Sequence, residues 1–380
     1  MTVQVPDIRG RNAGSRRSDF RVLHVVDHVM QDQRPAILDR ILEQRPDDEI
    51  LTLPPGGHAG QPSWLMSVRW ILGGDDGGIS LLINRARAEG RPFSLIHGWG
   101  TRALSLVGYT GGCGGRLATI DSFVSDAPAA TQASNVLRSG RLPVFVSSDI
   151  AWRSAMQLTG PAGIRTGRDQ LHCPVVHPDQ LASDRDEVRA RWNVGSDTMV
   201  IGLLGNPMCE INLRDLSGIP VRCRILGRDP VLVISSTGAR RGDLLRWMER
   251  VAPEIRIVVD DALDCSRDVV AAMDVVLAPS AMGRETRICS VEPVMAAVAA
   301  GLPVILGDDH PASEWAHEEP LIFVDASHDE HAAIQWLFTR AEESMESIRQ
   351  RVVLRCDHVR DSITESYGRI LESSNSSAAS

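Results

Sequence analysis

Short apolar segments alternate with helical patterns along most of the chain, and this alternation constrains the fold more than any other feature of the sequence. Strands that alternate with helices form parallel sheets whose faces the helices cover. Because the chain contains two such series, the predicted class is α/β, with two doubly wound, Rossmann-like parallel sheets. The apolar segments are 21–29, 49–54, 93–100, 116–123 and 142–149 in the first series, and 198–207, 230–238, 255–261, 274–280, 302–309 and 321–327 in the second.

The chain length and a change of character in the middle predict where the two sheets separate. A chain of 380 residues is too long for one ordinary hydrophobic core and suits two. Between 150 and 197, Pro, Gly and Asp interrupt the apolar pattern, so the connection between the two domains is expected there. The predicted divisions are a flexible arm over 1–19, an N-terminal domain over 20–185, a C-terminal domain over 186–345 and a disordered tail over 373–380.

Charge and composition exclude several classes of function. The net charge of −9 argues against nucleic acid as a partner and against an anionic membrane surface, so a small molecule is the expected ligand. The chain contains no lysine, and all 40 of its basic residues are arginine. Chemistry that needs a lysine amine, such as a pyridoxal-phosphate Schiff base or a Walker-type phosphate loop, is therefore excluded. Phosphate can still bind to arginine side chains and to backbone amides.

The cysteines and the N-terminal residues predict a cytoplasmic protein without a metal site. None of the seven cysteines forms a C-x-x-C pair or lies in a His/Cys cluster with zinc spacing, so they are expected to be reduced core residues. No apolar run approaches the ~18 residues that a transmembrane helix needs, and none follows the basic residues of the arm. A peripheral location at a membrane stays open.

The stretch 271–306 carries the clearest functional pattern. It comprises a buried strand, a loop and a helix that begins near Val291, and ligands of open α/β sheets bind where strands end. This pattern resembles the donor signature of the retaining GT-B glycosyltransferases of family four, in which a Pro-Ser pair, two glutamates and a Gly-x-Pro-Val turn follow one strand. The positions that fit the signature are Asp274, Pro279, Ser280, Glu285, Glu292, Met295, Ala296, Gly301, Pro303 and Val304.

The chemistry of this stretch agrees with a nucleotide-sugar site. The start of a helix presents amides and a positive dipole to a diphosphate, and Arg284 and Arg287 can add charge-assisted hydrogen bonds. Glu292 is suited to accept both hydroxyls of a ribose, and Glu285 those of the transferred sugar. The two glutamates are one position closer together than in the family, so either Arg284 takes the aligned place or a loop insertion lets Glu285 keep its role. Both glutamates can instead be helix caps and solvated charge.

A second part of the donor site is predicted after the first strand of the C-terminal series. Residues 200–207 resemble the glycine-ended strand of the family, with Gly205 at the end. The family continues with an Arg and a Lys that hold the diphosphate, whereas Asn206 stands here in the place of that Arg and no lysine follows. Arg214, Arg222 or Arg224 would have to substitute. The resulting donor-binding set is Gly205, Asn206, Arg214, Ser280, Arg284, Arg287 and Glu292.

The candidate catalytic residues are His97 and Asp121 in the N-terminal half, together with Glu285. Residues 94–100 resemble the His-x-His-Gly strand end of the family, with His97 kept and Trp99 in the place of the second His. Asp121 follows the next strand, where the family presents a His near the reacting carbon. Two simpler interpretations stay open, because His97 can be a satisfied core residue and Asp121 can cap a turn.

The resemblance covers most of residues 20–372 and implies a GT-B architecture of two domains that face a cleft, with a helix over 346–372 that returns to the N-terminal domain. It implies a metal-independent glycosyltransferase that retains the anomeric configuration. The donor substrate would be a nucleotide-diphosphate sugar, with no cofactor, and the acceptor an undetermined glycan, lipid or small molecule. A sugar-nucleotide 2-epimerase and a catalytically silent binding protein are alternatives, the latter because the N-terminal glycine loop, the Arg/Lys pair, the usual His and the glutamate spacing all differ.

Overall fold

The structure, a computed structural model, contains two parallel sheets whose strands are connected by helices. This arrangement confirms the predicted α/β class with two doubly wound sheets. The described residues are 20–26, 36–53, 76–110, 115–120, 133–138, 142–146, 176–181, 184–204, 213–235, 241–260, 266–278, 291–307, 310–316, 320–325, 330–339 and 344–378.

Within the described residues, the N-terminal sheet has five strands. Its strands are β1 Val22–Val26, β2 Glu49–Thr52, β3 Leu95–Trp99, β4 Gly115–Ile120 and β5 Val144–Val146, and its helices are α1 Ala36–Gln44, α2 Asp76–Ala88 and α3 Thr101–Tyr109. The strand order is β2-β1-β3-β4-β5. Because successive residues of a strand point to opposite faces, Val22 and Val26 pack on one face of the sheet while Leu23 and Val25 pack on the other. Both faces are therefore buried, as in parallel sheets that helices cover.

Six strands of the C-terminal sheet lie in the part of the chain that the structure describes. These strands are β6 Met199–Leu203, β7 Pro230–Ser235, β8 Arg256–Asp260, β9 Val275–Ala278, β10 Val304–Gly307 and β11 Ile322–Asp325. The helices are α4 Arg185–Arg191, α5 Leu213–Ile225, α6 Arg241–Val251, α7 Ser266–Val269, α8 Glu292–Ala299, α9 Glu330–Thr339 and α10 Met345–Ala378. The strand order is β11-β10-β9-β6-β7-β8. The central strands β9 and β10 are buried along their whole length and contain only aliphatic residues and glycine, which is typical of a parallel sheet covered on both faces.

Side chains of helix α4 form ion pairs at the point where the start of β9 contacts the start of β6. Asp274, the residue before β9, accepts a hydrogen bond from the Val200 amide at 2.7 Å and pairs with Arg185 and Arg189 at 2.5 and 2.6 Å. The buried Arg189 also donates to the Ala272 carbonyl at 2.9 Å. These bonds satisfy backbone groups at the amino edge of the sheet, opposite to the edge where ligands of such sheets bind. Asp274, although it fits the family signature, therefore has a structural role.

The long helix α10 joins the two halves. It lies against α8 of the C-terminal half and against α1 and β4 of the N-terminal half. A Cβ atom at Gly115 of β4 would lie 3.0 Å from Ile370 Cγ2, so the helix packs directly on that strand. The helix continues to Ala378, well into the segment 373–380 for which the sequence predicts a disordered tail, and the predicted domain boundaries stay predictions. The apolar residues of its buried face are Ile348, Val352, Cys356, Val359, Ile363 and Tyr367.

Candidate functional site

The strand order places one crevice in each sheet. The order reverses between β1 and β3 in the N-terminal sheet and between β6 and β9 in the C-terminal sheet. Ligands of open α/β sheets bind at such points, beyond the carboxyl ends of the strands. The chain leaves β6 at Leu203 and β9 at Ala278, so both stretches that carry predicted donor residues begin beside the crevice of the C-terminal sheet.

Most of the predicted site residues lie outside the described residues, and their assignments stay predictions. These residues are Asp121, Gly205, Asn206, Ser280, Arg284, Glu285 and Arg287. Arg214 is the second residue of α5, the helix that follows β6. Since a helix between two parallel strands runs back across the sheet, the start of α5 lies near the carboxyl edge and its last turn lies near the opposite edge. Arg222 and Arg224 are in that last turn, where Arg224 pairs with Asp229 at 2.6 Å. Of the three candidate substitutes, only Arg214 is therefore on the donor side.

Glu292 lies where the two halves of the molecule meet. It is the first residue of α8, as the sequence predicts, and its side chain is only 15% exposed. Its Oε2 atom accepts a hydrogen bond at 3.3 Å from the amide of Ala36, the first residue of α1. The Glu292 carboxylate thus occupies the positive end of a helix dipole from the N-terminal half. Because α1 follows β1, this contact brings the carboxyl edges of the two sheets together.

Arg267 lies beside Glu292 and Asp39 lies beside Arg267, and neither of these two residues is among those predicted from the sequence. Arg267 of α7 has its Nε atom 3.6 Å from Glu292 Oε1, and its NH1 group lies 3.4 Å from Asp39 Oδ2 in α1. We refer to Asp39, Arg267 and Glu292 as the junction triad. The start of α1 is also held by Gln180, whose side-chain amide donates to the Ala36 carbonyl at 2.9 Å. Two features of the sequence could have indicated these residues. Arg267 follows β8 at a carboxyl edge, and Asp39 is in the first turn of α1.

His97 lies inside the N-terminal half, in the layer between the sheet and α10. Its Nδ1 atom is 2.8 Å from the Tyr367 hydroxyl and its Nε2 atom is 2.8 Å from the Thr119 hydroxyl. Its ring stacks on Trp99 with the centroids 4.0 Å apart, and the side chain is fully buried. Both ring nitrogens have partners within the core, which favours the interpretation of His97 as a satisfied core residue. Its catalytic assignment stays a prediction.

A second buried histidine extends this polar layer. Trp99 Nε1 donates to His24 Nδ1 at 3.2 Å, so the proton of the neutral His24 ring resides on Nε2, 3.5 Å from Asp48 Oδ2. Burial lowers the pKa of His24, against the opposing effect of Asp48. Although burial by itself raises the pKa of Asp48, hydrogen bonds from His24, Arg45 and the Val22 amide bring that pKa below its ordinary value. The layer thus pairs a neutral imidazole with an ionised carboxylate.

The described ranges contain neither a cluster suited to a metal ion nor a helix suited to a membrane. No group of three or more His, Cys, Asp or Glu side chains there is arranged to hold a metal ion. No described helix combines the length and the apolar character that crossing a membrane requires.

Comparison with known proteins identifies the fold. No protein-family model and no curated protein matches the amino-acid sequence. The sucrose-phosphate synthase of Thermosynechococcus elongatus is similar in structure, with a TM-score of 0.64 at 12% identity over 93% of this chain and 100% of that chain. Anabaena HepE, solved with UDP and glucose, gives 0.61 at 11% identity over 91% and 99%. A glycosyltransferase from Rickettsia africae gives 0.60 at 12% identity over 93% and 99%.

The chain has the GT-B fold of these glycosyltransferases. At identities of 11 and 12% the likeness establishes the fold and leaves the activity to be argued from the site. In this GT-B chain, the contact between Glu292 and the start of α1 marks the point at which the two sheets approach each other. A ligand that binds at the carboxyl edge of the C-terminal sheet would therefore also lie next to elements of the N-terminal half.

Proposed function

We propose that this GT-B chain is a glycosyltransferase that moves a sugar from a nucleotide-diphosphate sugar to a separate acceptor, with retention of the anomeric configuration and without an essential metal ion. The observation that carries the proposal is the place of Glu292. Its carboxylate lies at the start of α8, beyond β9 at the switch point of the C-terminal sheet, and at the junction with the N-terminal half. This is where a nucleotide would bind in an open α/β sheet.

In the proposed donor complex, Glu292 accepts the ribose hydroxyls. A carboxylate has lone pairs for several donors, so the Ala36 amide and two hydroxyls can share it. The diphosphate lies at the start of α8, where amides and the helix dipole favour negative charge. We also assign Arg214 to the diphosphate, because it is the second residue of α5 and that helix begins at the same edge of the sheet. Outside the described residues, we assign the remaining donor contacts to Gly205, Asn206, Ser280, Arg284 and Arg287.

Charge stabilisation is the proposed basis of the reaction. When the bond between the sugar and the diphosphate breaks, negative charge develops on the leaving phosphate. Arginine side chains and helix-terminal amides that are already in place can stabilise this charge without reorganisation, which lowers the barrier more than the same groups would in water. We assign Glu285 to the hydroxyls of the transferred sugar and Asp121 to the reacting centre. We assign no proton transfer to His97, because its ring nitrogens contact Tyr367 and Thr119 inside the core.

A catalytically silent binding protein is the second candidate, and two observations favour it. The Glu292 carboxylate already caps α1 and pairs with Arg267, and both nitrogens of His97 are engaged inside the core. A protein that kept the fold but had lost catalysis would tolerate such arrangements. It would bind a nucleotide without turning a sugar nucleotide over.

The test is a thermal-shift screen of the full chain against UDP, GDP, ADP and their glucose or mannose derivatives, followed by product analysis. A ligand that binds only the folded state raises the melting temperature, by the equivalent of about 2.7 kcal/mol at 100 times its dissociation constant. We expect at least one diphosphate to stabilise the chain, and its sugar derivative to be hydrolysed slowly or transferred. Binding without any turnover would support the silent protein, and a 2-epimerised nucleotide sugar as product would support an epimerase. No stabilisation by any nucleotide would contradict all three.

A further inference from the structure

The junction triad consists of one guanidinium between two carboxylates that come from different halves of the molecule. Asp39 belongs to α1, Arg267 to α7 and Glu292 to α8. The sequence separation between Asp39 and Arg267 is 228 residues, so the contact exists only because the two halves pack together. The three side chains are 25%, 16% and 15% exposed, which makes them the charged lining of a largely enclosed junction.

Because the junction triad is largely buried, its charges hold the Glu292 carboxylate in one orientation. Ion pairs at this depth are screened by salt much less than exposed pairs are. The Ala36 amide contacts Oε2 and Arg267 lies beside Oε1, so the carboxylate is held from both sides and its orientation is restricted. Arg267 has a long, flexible side chain, and its second carboxylate partner, Asp39, restricts that side chain in turn.

We propose that Arg267 is a positioning residue for the donor site, which orients the Glu292 carboxylate towards the hydroxyls of a bound nucleotide and is itself oriented by Asp39. This inference rests on the proposed function, because it assumes that Glu292 contacts the nucleotide. Its consequence is that donor affinity depends on a residue of α1 that need not touch the donor. Displacing α1, or removing its charge at Asp39, would loosen the Arg267 side chain and with it the carboxylate.

A merely structural ion pair would behave differently, and the chain offers a matched control. Arg185 and Asp274 also form an Arg–Asp pair between separate elements, at 2.5 Å, but at the amino edge of the C-terminal sheet. Arg185→Gln should lower the melting temperature and leave nucleotide affinity unchanged. Arg267→Gln should lower the affinity as well, because the carboxylate that it orients belongs to the binding site.

The first experiment measures the affinity of the full chain for UDP, GDP and ADP by isothermal titration calorimetry. For the diphosphate that binds the wild type best, we expect Arg267→Gln to weaken binding about 10-fold and Arg267→Lys, which keeps the charge, to restore most of the loss. Asp39→Asn should weaken binding about 3-fold, and the double variant should be no weaker than Arg267→Gln alone, because Asp39 acts through Arg267.

The absence of lysine permits a second, independent measurement. Arg267→Lys introduces the single side-chain amine of the chain, and its rate of acylation by an amine-directed ester can be followed by mass spectrometry with the N-terminal amine as internal reference. Arg85→Lys provides the exposed comparison, since the Arg85 side chain is 72% exposed. We expect acylation at position 267 to be at least about 10-fold slower than at position 85, because two neighbouring carboxylates favour the charged, unreactive form of the amine, and Asp39→Asn to accelerate it.

The outcomes separate this inference from the proposed function. If the wild type binds a diphosphate but Arg267→Gln binds it equally well, the positioning role is wrong and the proposed function stands. Additive losses for Asp39→Asn and Arg267→Gln, or acylation at position 267 as fast as at position 85, would also overturn the positioning role. If the wild type binds none of the three diphosphates, the proposed function is wrong and the positioning role falls with it.

Discussion

The two sheets have the same parallel construction but bury different kinds of side chain. Between the N-terminal sheet and α10, the layer contains His24, His97, Trp99, Thr119 and Tyr367 joined by hydrogen bonds. Around the centre of the C-terminal sheet, β9, α8 and β10 bury almost only Val, Ala, Ile, Leu and Met. Buried charge in the described C-terminal half lies at an edge, as with Arg189.

The difference shows that the two halves of one fold can have different roles. One half determines how a helix is placed, and the other supplies stability through aliphatic burial. Aliphatic packing is nondirectional and tolerates rearrangement, whereas a buried polar layer is favourable only when each donor meets its acceptor. The polar layer therefore favours one placement of α10 on the N-terminal sheet. The C-terminal sheet derives its stability from aliphatic burial and leaves its carboxyl edge for the proposed donor site. Five predictions test this comparison, from the largest expected effect to the smallest.

A cavity in the aliphatic core of the C-terminal sheet should cause the largest loss of stability. Ile305 of β10 is fully buried, so Ile305→Ala should lower the free energy of unfolding by about 2–5 kcal/mol. Ile305→Val, as the control, should cost about 0.5–1.5 kcal/mol. Urea unfolding of both variants measures the difference, and equal losses would mean that this core relaxes around the cavity.

Removal of a single hydroxyl from the polar layer of the N-terminal half should lower the stability of the protein. Tyr367→Phe leaves a nitrogen of His97 without its hydroxyl partner inside the core, which should cost about 1–3 kcal/mol. Thr364→Ala, on the same helix, removes a partly exposed hydroxyl that bonds only to its own helix and should cost less. Thermal unfolding with and without a nucleotide checks both. If Tyr367→Phe weakened nucleotide binding rather than stability, the layer would belong to the site.

Glu292 should affect ligand affinity more than stability. Glu292→Gln keeps the size of the side chain but removes the charged acceptor, so nucleotide affinity should fall at least ~10-fold, equivalent to 1.4 kcal/mol, while the melting temperature of the free protein should fall no more than in Arg267→Gln, which breaks the same ion pair. Glu89→Gln, on the exposed surface of the N-terminal half, is the control. Lower stability with unchanged affinity would reduce Glu292 to a cap of α1.

Acid should destabilise the chain through its buried histidines. Burial lowers the pKa of His310 from 6.5 to about 4, so the unfolded chain binds this proton more readily than the folded one. The contribution of the neutral His310 to the free energy of unfolding should therefore be fully present above pH 6.5 and be lost as the pH falls towards 4. His310→Asn, which keeps an acceptor for the Ala312 amide, should lose less stability over this range than the wild type. The exposed His331→Asn is the control and should follow the wild type.

Chelation should have no measurable effect on nucleotide binding. The proposed charge stabilisation comes from arginines and helix amides, so the dissociation constant should be the same in EDTA and in Mg²⁺. Titration of the same sample under both conditions measures this. A loss of binding in EDTA that Mg²⁺ or Mn²⁺ restores would show that a metal ion contributes to the site.

Much of the fold was predictable because it depends on local periodicity. The spacing of Ile37, Leu38, Ile41 and Leu42 predicts a helix within 34–45, and the structure has α1 at Ala36–Gln44. The helix expected to begin near Val291 is α8, Glu292–Ala299. Alternation of strands and helices also predicts parallel sheets, because each helix carries the chain back across the sheet, so that the next strand runs in the same direction as the one before it. The place of Glu292 at a strand-to-helix transition follows from the same local pattern.

The partners of the polar side chains were not predictable, because they come from remote parts of the chain. His97 meets Tyr367 across 270 residues, and Glu292 meets Ala36 across 256. The sequence by itself determined most of the strands and helices, the parallel direction of the strands, and which end of each strand lies at a carboxyl edge. These features follow from the spacing of residues along the chain. Only the tertiary structure decided that His97 lies inside a polar layer and that Arg267 lies between two carboxylates. Hydrogen bonds and ion pairs require atoms within about 3–4 Å, and only the packing of distant elements determines those separations.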